Sequence, residues 1–392
     1  MAQDTRWRRH GHARGRYAPR LWPVWLVAPI WVAAASALAL VIYLLLRAVA
    51  VPRPGPNGGP GSIDPLDVIK TTITVAGFVG AVLVGVYGYR KQRLVEGDAH
   101  RADAEQLAQR YTTAASQLGH EKAAVRLAGV YAMARLADDW DEQRQVCIDV
   151  LCAYLRMPYE PDTASAKHRE GEREVRLTII RIIRDHLQDP TDPTAWCDLD
   201  FDFTNTIFDG GDFAYAKFTE SMVFFTDAEF AAGETFFDDA VFAGGSVVFS
   251  RAKFSGGNVY FDGTKFAGGS VDFSDGKFAD GEIFFGARFV GGKISFAGTE
   301  FAGGEVSFDG AKFTRSKVSF DGAKFSGGNV NFSNGKFTGG SVSFDHAEYT
   351  GGSVSFDTAE FPGCIITWGP FEPPAAWTEL QEKERRQNEQ PP

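Results

Sequence analysis

The second half of the chain is written in a twelve-residue phrase. Phe301-Ala302-Gly303-Gly304-Glu305-Val306-Ser307-Phe308-Asp309-Gly310-Ala311-Lys312 returns with small changes from Phe218 to Phe361, and all 33 phenylalanines except Phe78 lie after Asp200. A unit this short cannot bury its own apolar face, so neighbouring units must stack and the segment must be a solenoid. Its apolar residues run Val-x-Phe-x-x-Ala-x-Phe, as at Val306, Phe308, Ala311 and Phe313. A small or branched residue and a Phe two positions later point the same way, as in a strand, and the next two residues turn a corner. Each unit is therefore two five-residue steps plus a two-residue excess. The excess is Gly-Gly at 244–245, 268–269, 303–304, 339–340 and elsewhere, where glycine permits the positive φ of a tight corner. Arg315-Ser316 stands in the same place, so glycine there is helpful rather than obligatory.

Volume decides how many units close one coil. Two Phe, a Val and an Ala overfill a coil of twelve residues at normal packing density, so two units per coil, four short strands around a square, are expected. Identical rings then stack in ladders: Phe289, Phe313, Phe337 and Phe361; Phe296, Phe320 and Phe344; Phe301 and Phe325; Phe308, Phe332 and Phe356. About seven coils at roughly 4.8 Å each predict a rod on the order of 35 Å long. One residue is missing between Phe278 and Phe289, and Phe284 or Phe285 is expected to slip there.

Tandem five-residue steps with a central Phe resemble the pentapeptide-repeat family, most purely at Phe203, Phe208, Phe213 and Phe218. The resemblance covers 198–371 and implies a right-handed, four-sided β-helix of the kind found in membrane-associated bacterial members. The chain departs from the family pattern by the two extra residues in every second step, which argues against uniform square corners. Tyr111–Asp139, with Gln117-Leu118-Gly119, is more weakly similar to the helical region preceding the repeats in some of those members.

The remainder reads in segments. Residues 1–20 form a basic tail with Arg6, Arg8, Arg9, Arg14, Arg16 and Arg20. Residues 21–46 carry no charge and are long enough to cross a bilayer core of roughly 30 Å. A Pro/Gly-rich loop over 47–69 leads to a second apolar run at 70–89, so a two-span hairpin is predicted rather than a cleaved signal peptide. Gly77, Ala81 and Gly85 on the second span, and Ala33 and Ala37 on the first, recur every four residues and would let the helices approach closely. Arginines before the first span, and Arg90, Lys91 and Arg93 after the second, place both termini in the cytoplasm. A cytoplasmic helical domain is expected over 90–190, with separate helices around 107–118, 125–136, 146–154 and 175–187, the last capping the first coil. A polar tail over 372–392 follows the repeats.

Composition bears on function by what it withholds. Cys147, Cys152, Cys197 and Cys364 have no metal-ligand spacing and read as reduced thiols, and no two His share the i,i+4 spacing with an acid that a zinc or base site would show. No catalytic residue, cofactor or metal site is expected, and an enzyme on a β-helix is the least favoured reading. The segment 198–371 holds 24 acidic and 12 basic residues, with the excess before Val241. Some family members mimic DNA and bind gyrase; a charge this uneven lacks the extended negative field that mimicry requires. A Thr-rich ice-binding face is also missing. The favoured reading is a membrane-anchored scaffold presenting the β-helix to an unidentified cytosolic protein, with the bilayer as its other partner and no direct contact with nucleic acid. Oligomeric state is left open. Asp309, Asp321, Asp345 and Asp357 follow one Phe ladder and Lys312, Lys324 and Lys336 precede the other, which reads as a solvated, mixed-charge surface.

Overall fold

The computed structural model describes residues 65–166, 168–375 and 377–379, together with 33, 36, 37, 40, 41 and 44. The basic tail, most of the first predicted span and the loop up to residue 64 lie outside the described residues. The chain divides into two compact units, Met1–Gln106 and Leu107–Pro392.

In the first unit the second predicted span does not stand alone. It belongs to helix α1, Pro65–Leu118, because no proline or turn cluster separates Tyr89 from Leu107 and the intervening residues are mostly good helix formers. Among the described residues no helix is long and apolar enough to cross a membrane. The predicted packing of the two spans involves a first span that lies mostly outside the described residues. Ala33, Ala37, Gly77, Ala81 and Gly85 are all exposed, and a Cβ added at Gly77 or Gly85 would meet no atom within 4 Å.

The second unit takes in the end of α1, from Leu107, and then helices α2 (Ala123–Asp139), α3 (Arg144–Leu155) and α4 (Glu172–Asp185). Val130, Met133, Leu136, Ile148, Leu151, Val175, Ile179 and Ile183 form their common core. A buried polar network pins this core together. The guanidinium of Arg126 has no exposed surface; it donates to the Glu121 carbonyl at 2.5 Å and pairs with the Glu172 carboxylate at 3.1 Å. That carboxylate also accepts from the Tyr154 hydroxyl at 3.0 Å. Three helices are thereby tied through one charge pair.

The repeats form a solenoid of parallel strands in four sheets of eight, seven, seven and six strands. One coil runs through Lys293–Ser295 on side A, Glu300–Phe301 on side B, Glu305–Ser307 on side C and Lys312–Thr314 on side D. Register places Phe313 on Phe337 and Val318 on Val342, so two units make a coil of 24 residues. The volume argument and the structure agree on this point.

Four Phe ladders fill the interior. Rings stack at 4.7 and 4.6 Å along Phe289–Phe313–Phe337, with Phe361 next at 5.1 Å. The same spacing runs along Phe296–Phe320–Phe344, Phe301–Phe325 and Phe308–Phe332–Phe356. The ladders of Phe296 and Phe308 meet edge to face, at 5.5 Å and 87°, whereas neighbours such as Phe308 and Phe313 meet tilted, at 44°. Stacking along the rod and the edge-to-face contact between the Phe296 and Phe308 ladders both suit the ring quadrupole.

Two kinds of corner alternate, which is why the extra residues do not spoil the coil. After sides A and C a single residue takes positive φ, as at Asp227, Arg251, Asp275 and Asn334. After sides B and D the inserted pair turns the chain. Between D and A both glycines of most pairs have positive φ, and a Cβ at Gly269 would lie 2.1 Å from the Gly245 carbonyl oxygen in the coil below. Arg315 adopts φ 53° and Ser316 buries its hydroxyl against the Phe289 and Gly291 carbonyls, which shows how a non-glycine pair fits.

The missing residue falls inside the expected interval, but no ring slips to absorb it. Phe284 stays over Tyr260 and Phe285 stays over Phe261, each 24 positions on. The offset falls to 23 at Lys265 and Arg288. Neither Phe slips, because shortening the Phe285-Gly286-Ala287 corner is less disruptive than turning a ring out of the core.

Both rod ends are closed. At the start, the Leu187 and Cys197 carbonyls accept from the Lys217 and Thr219 amides at 2.8 and 2.6 Å, replacing the strand that a preceding coil would supply. Ile180 of α4 lies against Gly211. At the far end Trp368, Phe371 and Trp377 cover the last rings, with Phe371 edge-on to Phe325 at 5.1 Å and Trp377 edge-on to Phe361 at 5.8 Å. The polar tail contributes Trp377 to this lid.

Candidate interaction surface

Strand alternation sends every second side chain outward, and the register stacks those side chains into columns one coil apart. The columns differ from side to side. On side D, Lys217, Val241, Lys265, Arg288, Lys312 and Lys336 share one column. Beside it runs a column of Thr219, Ala243, Ala267, Val290, Thr314 and Thr338. Side C presents Glu234, Asn258, Glu282, Glu305 and Asn329, flanked by stacked Phe236, Tyr260 and Phe284. Side B mixes Glu229, Lys253, Lys277, Glu300, Lys324 and Glu348 in one column, and Lys277 pairs with Glu300 at 3.1 Å.

This sorting corrects the mixed surface expected from the repeat. Lys312 and Lys336 lie on side D, whereas Lys324 lies on side B. Asp309 and Asp357 follow side C, whereas Asp321 and Asp345 follow side A. One unit advances the chain half a coil, so neighbours in the repeat face opposite ways. Charges that alternate along the sequence are thereby separated in space.

The acidic first coil is engaged by the helices. Arg156 donates to the Asp202 carboxylate at 2.6 Å, Arg173 pairs with Asp209 at 3.1 Å and Arg184 pairs with Asp212. The Tyr159 hydroxyl adds a 2.5 Å hydrogen bond to Asp209, and Arg176 lies over the Tyr159 ring while donating to the Leu155 and Ile207 carbonyls. The sequence reading missed this collar. Its signal was available: an arginine-rich stretch directly before the one part of the solenoid with a large acidic excess.

All four cysteines are free and buried, and burial pushes the Cys147, Cys197 and Cys364 thiols up to about 11 and Cys152 up to about 12. They stay protonated and poorly nucleophilic. Among the described residues no group of three or more His, Cys, Asp or Glu is placed to hold a metal ion. No family model, curated protein or solved structure matches the chain. The surface is therefore read from its own chemistry.

His186 is built into a joint between helices. Its ring stacks on Trp196 at 4.1 Å, and Nε2 faces the Asp138 carboxylate at 3.2 Å, joining the end of α4 to the end of α2. Burial by itself would lower its pKa, but hydrogen bonds to Asp138 and the Ile182 carbonyl, with the charges of Asp138 and Asp185, together raise it above the usual value. A raised folded pKa stabilises the fold below the unfolded pKa of about 6.5, and that contribution disappears as pH rises through the folded value. Urea midpoints of the full chain should fall as pH climbs through this window, and the fall should shrink in His186→Gln. An unchanged slope in the variant would assign the pH dependence to other groups.

Proposed function

We propose that the chain is a membrane-anchored, non-catalytic scaffold of the pentapeptide-repeat kind, whose solenoid offers long flat sides for docking a cytosolic protein. The observation that carries the reading is the sorting of outward residues into columns of distinct charge along an unbroken rod. A partner that matches one column gains contacts with every added coil, and the stacked core holds the column rigid, so little ordering entropy opposes docking. Support for the anchor comes from the uncharged run 21–46 and from the apolar flank of α1, where Phe78, Leu83 and Val84 are 50, 62 and 72 % exposed.

The test has two arms on the full chain expressed in a bacterial host. Alkaline carbonate washing should leave it in the membrane pellet, and release into the supernatant would remove the anchor. Proximity labelling from the solenoid should recover a reproducible partner set that changes when one side is recharged. A set indifferent to such changes would remove the docking role.

A further inference from the structure

Side D carries the one long run of like charge on the solenoid. Lys265, Arg288, Lys312 and Lys336 stand on four consecutive coils in strict register. Arg315 at the adjoining corner, and Lys293 and Lys317 on the neighbouring edge of side A, extend it. All seven are exposed. Lys336 pairs with Glu360 at 2.8 Å, and none of the other six forms an ion pair among the described residues. In a chain of net charge −10, so concentrated a cationic strip repels itself unless an anionic surface meets it.

The shape of side D narrows what that surface is. The column beside the cations holds only Thr, Ala and Val, so the side is flat. It offers no aromatic side chain for stacking bases and no large apolar anchor of the sort that dominates protein interfaces. Opposite it, side B mixes both signs in one column, with Lys277 paired to Glu300. A planar array of negative charge needs neither groove nor anchor, only cations in a plane.

The geometry points to side D as a contact for anionic lipid headgroups, laid flat on the leaflet. The supply of such a leaflet rests on the membrane anchor proposed above; the electrostatic match does not. Fixed on this side, the solenoid would present the acidic and aromatic side C along the membrane edge and side B to the cytosol.

Buried native thiols make a single introduced cysteine a selective probe. Full-length Thr338→Cys, on side D, and Ser326→Cys, beside side B, are each labelled with a fluorophore and reconstituted in phosphatidylcholine vesicles with or without phosphatidylglycerol, with a headgroup-attached quencher. Quenching at position 338 should exceed that at 326 several-fold, require phosphatidylglycerol, and vanish at high salt or in the exposed-residue triple variant Lys265→Glu/Arg288→Glu/Lys312→Glu. Equal quenching at the two positions, or quenching indifferent to phosphatidylglycerol, overturns the assignment. So does a response at 338 to duplex DNA without vesicles, which would make nucleic acid the ligand. Flotation with phosphatidylcholine vesicles after an alkaline wash reports the anchor separately. If flotation fails and 338 still senses added phosphatidylglycerol vesicles, the anchor falls and the headgroup contact stands.

Discussion

Phe308→Ala lowers solenoid stability by about 3–5 kcal/mol, as read from urea or thermal unfolding of the full chain. Phe308 is fully buried, stacked between Phe285 and Phe332 at 4.8 Å on either side and edge-on to Phe296 and Phe320. Truncation removes five aromatic contacts, the fifth to Phe313, as well as apolar area, and the stiff coils above and below cannot collapse into the gap. Each coil is coupled only to its neighbours, so a mid-rod cavity weakens both interfaces and should broaden the transition. Lys312→Ala, four residues on and outward-facing, serves as the control and should shift stability by less than about 0.5 kcal/mol. A near-neutral result at Phe308 would overturn the stacked core.

Arg126→Ala is expected to cost a similar amount, about 3–5 kcal/mol, by a different route. It leaves the Glu172 carboxylate, only 10 % exposed, without its nearest cation, and strands the carbonyls of His120 and Glu121. Arg169 is 3.8 Å from Glu172 and far more exposed, so it compensates poorly. The double variant Arg126→Met/Glu172→Leu should recover much of the loss, because it removes the buried charge along with its partner. If the double variant is as unstable as the single one, the pair is not what holds the three helices together. This result also reports on the rod, since α4 rests on the first coil through Ile180 and the Arg173–Asp209 and Arg184–Asp212 pairs.

The interior was legible in the sequence because it is periodic. Phe at fixed intervals, Val or Ala two positions before it, and a volume too large for one twelve-residue unit lead directly to a four-sided coil of two units. The helical boundaries around Leu118, Asp139 and Leu155 were also marked, by Gly119, by the acidic cluster after Ala137 and by Met157-Pro158. Three features were not legible, each because it depends on what meets across space. Arg126 reads as an ordinary polar position on a helix until Glu172 and Tyr154 close over it. The residue missing after Phe285 could be taken up at several places, and only the relative strain of corner and core selects one. The sides of the surface appear mixed along the chain, and sorting them requires the half-coil step.

That half-coil step also limits how such a rod can lengthen. Inside, the two units of a coil are interchangeable, each offering a branched residue, a small one and two Phe, so the core would accept one additional unit as readily as two. Outside, one added unit would carry everything after it halfway round the rod, putting Lys312 and Lys336 where Glu300 and Lys324 now stand and breaking the cationic column at the point of insertion. Only duplication in pairs leaves the sides intact. Stability is thus blind to the parity of the repeat, whereas recognition is not, and a side that keeps its charge over four successive coils is a record of growth by whole turns.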